Sequence, residues 1–311
     1  MRAFVKTAIL LLAIFFISGC SEADSTGSEA DIASPASESL STFEIPIPIA
    51  SGINVERNDR ASIDYSNTQD GYVIVEFSDK SETVLRVLVT APHGEQYRYA
   101  LGDNGVAEII PLTEGNGEYK IGIYEHIGGT DYKAVLSATI NVVLENEHAP
   151  FIHPNQFVNY NKDSELVELA AELTRNAKTT EDKIEAIYDY VVDNFTYDYD
   201  LAANVQPGYL PNLDQVLERK EGICFDYSAL VTAMLRSQGI PARLEIGYYG
   251  EEYHAWISKF CEEKGWLDNW FHHNGYEWTR MDPTIESTDR REHHSRQQAR
   301  NDDRYRLMYN Y

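Results

Sequence analysis

Three residues in the second half of the chain are of the types that together perform nucleophilic acyl transfer: Cys224, His254 and Asp282. A cysteine thiolate attacks a carbonyl carbon, a histidine imidazolium protonates the leaving amine, and a carboxylate orients the imidazole. Each residue type also has an ordinary structural use, as a small apolar residue, a strand residue or a turn residue. Their combination predicts a catalytic triad.

The residues after Cys224 predict a helix that begins at or just before the cysteine. Its apolar positions recur at helical spacing: Tyr227, Leu230, Val231, Met234 and Leu235. Gly239 and Pro241 then end the helix. Unpaired backbone N–H groups and the positive end of the dipole at a helix N-terminus favour thiolate over thiol. The opposite face of this helix would pack into the core and fix the sulfur.

The other two residues of the predicted triad lie on segments that resemble strands. His254 belongs to the segment 253–257, which follows a β-branched run at 244–249. Asp282 comes near the end of a third strand-like segment, 277–284. A nucleophile, a base and an orienting carboxylate would thus each be mounted on a regular element.

Four segments around these residues, taken in order and spacing, resemble the transglutaminase-like core. They are Gly222-Ile223-Cys224-Phe225-Asp226-Tyr227, Arg236-Ser237-Gln238-Gly239-Ile240-Pro241-Ala242-Arg243, His254-Ala255-Trp256 and Asp282-Pro283-Thr284. The resemblance covers about residues 166–284 and includes Phe195-Thr196-Tyr197-Asp198. It implies a papain-like α+β fold, with the cysteine on a helix N-terminus and the histidine and aspartate on adjacent strands.

The same resemblance implies a cysteine enzyme that acts on amide bonds of protein or peptide substrates through a thioester. Hydrolysis is favoured over amine transfer because nothing in the sequence indicates an amine site. Two alternatives remain open. The domain could be a catalytically silent binding module of the superfamily, or the chain could be a surface adhesin whose β domain does the binding.

Further residues near the predicted triad are assigned supporting roles. The backbone N–H of Cys224 is one expected oxyanion donor, and Gln206 or Tyr209 could supply a second. Trp256 either lines the cleft or packs in the core. Trp266 and Trp270 either line a substrate groove or cover an insertion.

No metal or other cofactor is expected. The pairs His272-His273 and His293-His294 are the residues that most resemble metal ligands. Neither pair has a cysteine or an acidic residue at ligand spacing.

The N-terminus resembles a bacterial lipoprotein signal. Arg2 and Lys6 precede an apolar run at 8–17, which is too short to span a membrane. The run ends in Ile17-Ser18-Gly19-Cys20, which resembles a lipobox. We therefore predict a signal peptide at residues 1–19, lipidation of Cys20, and a mature chain anchored to the outer side of the bacterial cell membrane. Residues 20–45 are rich in Ser, Ala, Glu and Asp and would form a flexible tether.

Residues 46–148 have the pattern of an all-β domain. The β-branched runs 72–77 and 84–89 and the alternation at 119–123 are separated by turn residues. About seven short strands in this length indicate an immunoglobulin-like sandwich. A spacer is the favoured role, with substrate presentation or partner binding as alternatives. Residues 149–311 would be the catalytic domain, and its polar end, 287–311, is expected only to be exposed to solvent.

The charge of the chain excludes some partners. Its 50 acidic and 26 basic residues give a formal net charge of −24 at pH 7. Nucleic acid and anionic lipid would be repelled by such a surface, so neither is expected as the main partner. Solubility explains this excess of acid, and the alternative is complementarity to a basic substrate.

Overall fold

The computed structural model describes residues 44–262, 276–288 and 303–311, and side chains within 44–260, 279–288 and 303–311. The signal peptide, Cys20 and most of the tether lie outside these residues. So do Trp266, Trp270 and the pairs His272-His273 and His293-His294. No helix in the described ranges is long and apolar enough to cross a membrane.

The β region, residues 55–142, contains two four-stranded antiparallel sheets. In spatial order, the first sheet consists of β1 (Val55–Arg57), β2 (Ala61–Asp64), β3 (Tyr72–Phe77) and β6 (Ala107–Pro111). The second consists of β5 (Gln96–Leu101), β4 (Leu85–Thr90), β7 (Gly117–Gly128) and β8 (Asp131–Val142). Alternate residues of β4 and β5 are buried, as period-two patterning requires. The immunoglobulin-like assignment stays a prediction.

The second half of the described chain is α+β, as predicted. Its helices are α1 (Glu165–Thr174), α2 (Thr180–Asn194), α3 (Tyr199–Asn204), α4 (Leu213–Arg219), α5 (Cys224–Ser237) and α6 (Pro283–Thr288). Ser164 precedes α1, and Thr179 caps α2 because its side chain accepts from the backbone N–H of Asp182.

A four-stranded antiparallel sheet packs against α5. Its spatial order is β13 (Tyr276–Met281), β12 (Glu252–Glu262), β11 (Ala242–Tyr249) and β14 (Tyr305–Asn310). A short parallel pair, β9 (Thr196–Tyr197) and β10 (Glu221–Gly222), leads into α5. Nearly every residue of α5 is buried, so the helix lies at the centre of the fold.

The C-terminal strand corrects one prediction. Residues 287–311 were expected only to be exposed, but β14 pairs with β11 as an outer strand of the sheet. Asn310 and Tyr311 are buried, and Tyr311 exchanges backbone hydrogen bonds with Leu244. The expectation failed because the polar residues before this strand obscured the short alternating run that forms it.

The β region packs directly against the rest of the fold. The Gln156 side chain accepts from the backbone N–H of Ala100 and donates to its carbonyl, both at 3.0 Å. It thereby pairs with the outer strand β5 as a neighbouring strand would. Asn310 of β14 donates to Glu114 at 3.0 Å. Buried apolar residues of both halves form one continuous core. The β region and the second half therefore share one core, and the role of the β region as a spacer stays a prediction.

A buried arginine joins several segments of the second half. The Arg236 guanidinium donates to the carbonyl oxygens of His153, Ala242 and Tyr311 over 2.6–3.0 Å. The side chain is fully buried. It thus fixes the end of α5 to the start of β11 and to the end of the C-terminal strand.

Candidate active site

Cys224 is the first residue of α5, as the sequence predicts, and its side chain is partly exposed. Asp226, in the first turn, accepts from the backbone N–H of Ile223 at 2.8 Å and so satisfies one unpaired donor of the helix start. Gly222 makes this arrangement possible, because a Cβ there would lie 2.6 Å from the Cβ of Asp226. The spacing Gly-x-Cys-x-Asp therefore builds a helix terminus that presents the sulfur.

Asp226 also holds the loop that precedes α4 against the first turn of α5. The Tyr209 hydroxyl donates to the other carboxylate oxygen of Asp226 at 2.6 Å. The Asp226 side chain is buried, and this burial raises its pKa although both hydrogen bonds oppose the change. One carboxylate thus holds both the helix start and the loop 205–210 beside Cys224.

His254 lies in β12 between Cys224 and Asp282. Its Nε2 donates to Asp282 Oδ2 at 2.7 Å, and Cys224 interacts with the ring strongly enough to raise the pKa of His254. Because Nε2 is used by the carboxylate, Nδ1 is the ring nitrogen left for the sulfur. The structure therefore brings the three predicted residues into one row, with His254 in the middle.

The surroundings of His254 favour its charged form. Burial alone would lower its pKa, but the hydrogen bond to Asp282, the interaction with Cys224 and the charges of both partners outweigh burial. Together they raise the pKa of His254 to about 10. The imidazole is thus an imidazolium at neutral pH and can stabilise a thiolate and later donate a proton.

The Asp282 carboxylate is fixed by the helix that follows it. Its Oδ1 accepts from the backbone N–H groups of Thr284 and Ile285 at 3.1 and 3.0 Å. Asp282 is thus the N-cap of α6, and Pro283 occupies the first helical position, where proline is favoured. The segment Asp-Pro-Thr therefore orients the carboxylate, which has no exposed surface.

Tyr305 is a site residue that no local sequence motif indicated. Its hydroxyl donates to Asp282 Oδ2 at 2.6 Å, the same oxygen that accepts from His254. Tyr305 is the first residue of β14, so it reaches the site through strand pairing rather than through a local motif. The signal that could have found it is the alternation of Tyr305, Leu307, Tyr309 and Tyr311.

A cleft of about 810 Å³ opens at Cys224 and His254. Its walls come from the loop 205–210, from β12 and from the outer face of β4 and β5 in the β region. The aromatic rings of Phe157, Tyr197, Phe225, Tyr253 and Tyr309 line much of it. A volume of this size accommodates a short peptide segment, because ligand pockets commonly measure about 300–1,000 Å³.

Trp256 does not line this cleft. It is buried behind His254, its ring stacks on the imidazole with centroids 6.2 Å apart, and its indole N–H donates to Glu245. Gly247 makes room for the indole and for β14, since a Cβ there would lie 2.9 Å from the indole and 2.1 Å from the Arg306 carbonyl. Of the two roles considered for Trp256, packing in the core is the one the structure shows.

The two side chains considered as second oxyanion donors lie in the cleft wall, but both have other acceptors. The Tyr209 hydroxyl donates to Asp226, and the Gln206 amide donates to the Asn204 carbonyl at 2.8 Å. Tyr209 is therefore a residue that anchors the loop. Within the described ranges, no group of three or more His, Cys, Asp or Glu side chains could hold a metal ion.

Comparison with known proteins agrees with this core. Residues 167–283 match the model of the transglutaminase-like superfamily. The chain therefore contains a transglutaminase-like domain, preceded by a β-rich region.

One curated relative is similar to part of this chain. It is the uncharacterized protein YebA of Bacillus subtilis, 32% identical over 119 residues. The match covers 32% of this chain and only 16% of that protein.

Among solved structures, the periplasmic domain of TgpA from Pseudomonas aeruginosa is 15% identical to this chain, with a TM-score of 0.34. The match covers 68% of this chain and 93% of that domain. Red sea bream transglutaminase is 12% identical to this chain, with a TM-score of 0.29. That match covers 68% of this chain and 47% of the transglutaminase.

Proposed function

We propose that this chain is a cysteine enzyme that hydrolyses amide bonds of protein or peptide substrates through a thioester. The observation that carries the proposal is the row Cys224–His254–Asp282, in which His254 is hydrogen-bonded to Asp282 and faces Cys224 at the opening of a cleft. The raised pKa of His254 supports it, because a charged imidazole both pairs with a thiolate and holds the proton that the leaving amine needs.

In the first half of the proposed reaction, the Cys224 sulfur attacks the amide carbonyl carbon and a C–S bond forms. The negative charge moves to the carbonyl oxygen, where the backbone N–H of Cys224 is the expected donor. The His254 Nδ1 proton passes to the amide nitrogen, the C–N bond breaks and the amine leaves. The enzyme then holds a thioester, and His254 is neutral.

In the second half, neutral His254 takes a proton from water while the water oxygen attacks the thioester carbonyl. The C–S bond breaks, the acid is released, and the thiolate–imidazolium pair forms again. Asp282 stays ionised throughout, because its task is to orient the imidazole and to stabilise its charge. An amine in place of water would give a new amide instead.

Intact mass spectrometry on the full chain can test the thioester. A library of acetylated peptide amides is added, the mixture is quenched in acid, and the mass of the protein is compared with that of Cys224→Ala. A hydroxylamine-sensitive adduct on the wild type and none on the variant is expected. If no peptide gives an adduct on Cys224, while the protein is folded, the proposal fails.

The acyl acceptor can be identified in the same reaction. Turnover in ¹⁸O-labelled water places one ¹⁸O in the carboxyl product if water resolves the thioester. Addition of millimolar cadaverine diverts the product to an amide only if an amine competes. We expect the labelled acid to dominate, because nothing in the sequence indicates an amine site.

We further propose that the mature chain is a lipoprotein anchored through Cys20 outside the cytoplasm. The proposal is supported by the basic start, the apolar run and the Ile17-Ser18-Gly19-Cys20 ending. Cys20→Ala should leave an unprocessed precursor or release the protein from the membrane fraction, whereas Ser21→Ala should behave as the wild type. Identical fractionation and migration of Cys20→Ala and wild type would contradict it.

A further inference from the structure

We infer that the cleft at Cys224 selects acidic peptides, whose carboxylates bind Arg86 and Arg98 of the β region. The inference rests on the proposed function, since it names the class of substrate that the same site takes. It also assigns a role in substrate binding to the β region, because both arginines lie in strands outside residues 167–283, the segment that matches the superfamily.

The two arginines lie on one face of a sheet and point to the same cleft. Arg86 of β4 pairs with Ala100 of β5, and Leu88 pairs with Arg98, so the two arginines are diagonal neighbours. Diagonal neighbours on antiparallel strands have Cα atoms about 7–8 Å apart. Both side chains line the cleft that Cys224 and His254 also line.

The charge of the cleft is opposite to that of the whole chain. Acidic residues outnumber basic ones by 50 to 26 in the sequence, yet no aspartate or glutamate is among the described residues that line the cleft. Its unpaired charged side chains are Arg86 and Arg98, because the charge of His254 is balanced by Cys224 and Asp282. Two positive groups at one opening attract a carboxylate and repel a lysine.

Neither arginine is neutralised by the protein in the described part of the chain. Arg86 donates to the carbonyl of Leu85 at 3.1 Å, and neither guanidinium forms an ion pair there. By contrast, Arg60 of the same region is paired with both Asp79 and Glu125. An unpaired guanidinium offers the planar set of donors that binds a carboxylate at two points.

The position of the arginines is fixed relative to the nucleophile. The side chain of Gln156, itself a cleft residue, forms both hydrogen bonds with Ala100, the residue opposite Arg86. The wall that carries the arginines is therefore held to the catalytic core at the cleft itself. Such pre-organisation lets the guanidinium groups select substrates instead of merely attracting them.

Binding to the full chain carrying Cys224→Ala tests the inference without requiring turnover. The probes are a fluorescent pentapeptide amide with two glutamates, its glutamine and lysine counterparts, and the glutamine peptide with a free terminal carboxylate. We expect the glutamate peptide to bind at least about tenfold more tightly than the glutamine peptide, the effect of one charge-assisted pair. The fourth peptide shows whether a side-chain or a terminal carboxylate is recognised.

Variants then locate the effect. Arg86→Gln with Arg98→Gln should abolish the preference, because the glutamate peptide loses its at least about tenfold advantage over the glutamine peptide. Arg98→Glu should favour the lysine peptide. Arg57→Gln, an exposed arginine of β1 outside the cleft lining, is the matched control and should keep the preference.

Equal affinity of the wild-type cleft for the glutamate and glutamine peptides would overturn the inference. So would a preference that survives the double substitution, or the absence of any measurable peptide binding. Failure of the proposed function looks different, because Cys224 would then form no thioester although the acidic peptides still bind.

Discussion

The Tyr305 hydroxyl donates a hydrogen bond of 2.6 Å to Asp282 Oδ2. That oxygen also accepts from His254 Nε2, so a tyrosine of the C-terminal strand helps to position the carboxylate of the proposed triad. Two backbone N–H groups of α6 hold the other oxygen. The carboxylate is thus fixed from three separate segments of the chain.

Tyr305→Phe should lower the turnover of a peptide amide about tenfold with little change in KM, because an improperly held imidazole affects proton transfer more than binding. Without the Tyr305 hydroxyl as a second donor, the Asp282 carboxylate should also stabilise the His254 imidazolium more strongly. The alkaline limb of the pH–rate profile should therefore move to higher pH. Tyr199→Phe, an exposed tyrosine outside the cleft lining, is the control. An unchanged profile in Tyr305→Phe would contradict a positioning role.

Asp282→Asn should move the pKa of His254 in the opposite direction. Burial lowers this pKa, but Asp282 and Cys224 together raise it to about 10 in the folded protein. Without the carboxylate, the pKa should fall by about 1–3 units, and NMR titration of the imidazole protons can measure this. Turnover should fall on the order of a hundredfold, with the fold retained by circular dichroism. A His254 titration equal to that of the wild type would exclude Asp282 as its partner.

The same shift makes the stability of the chain depend on pH. Because folding raises the pKa of His254, its stabilising effect is complete below the unfolded value of about 6.5 and is lost as pH rises through about 10. In Asp282→Asn this stabilising effect should be smaller and should be lost at lower pH, because the pKa of His254 in the folded variant is expected to be about 1–3 units lower.

Gly222→Ala should disturb the start of α5. The new Cβ would lie 2.6 Å from the Cβ of Asp226, so the helix terminus must shift. We expect a loss of about 1–3 kcal/mol in the free energy of unfolding, measured in urea, and slower alkylation of Cys224. Gly102→Ala is the milder control, since its Cβ would contact only the Val106 side chain at 3.0 Å. Equal losses in the two variants would argue against the role given to Gly222.

Arg236→Met should destabilise the fold by about 3–5 kcal/mol, because it removes the guanidinium donor from the carbonyls of His153 and Ala242 and one of two donors from that of Tyr311. Urea denaturation measures this loss. Arg219→Met, at the exposed end of α4, should change the stability by no more than about 0.5 kcal/mol. If Arg236→Met lowered the free energy of unfolding no more than Arg219→Met does, the guanidinium would not join these segments.

The sequence predicted the local parts of this site well, because each depends on residues close together in the chain. The helix start at Cys224 follows from the apolar repeat after it, and the run 72–77 coincides with strand β3. Tyr305 and the cleft arginines could not be inferred in this way. They meet the site through the pairing of β14 with β11 and the packing of β5 on Gln156, which no local pattern encodes.

The pH dependence of Cys224 alkylation tests the central claim most directly. The full chain is treated with limiting iodoacetamide from pH 5 to pH 11, and modified Cys224 is quantified by peptide mass spectrometry in wild type and His254→Ala. The thiolate–imidazolium pair predicts a fast rate that is nearly constant from about pH 6 to pH 9 in wild type. In His254→Ala the rate should be slow and should rise with pH, as for an ordinary thiol near 8.5. Matching rate profiles in the two proteins would contradict the assignment of Cys224 and His254 as a catalytic pair.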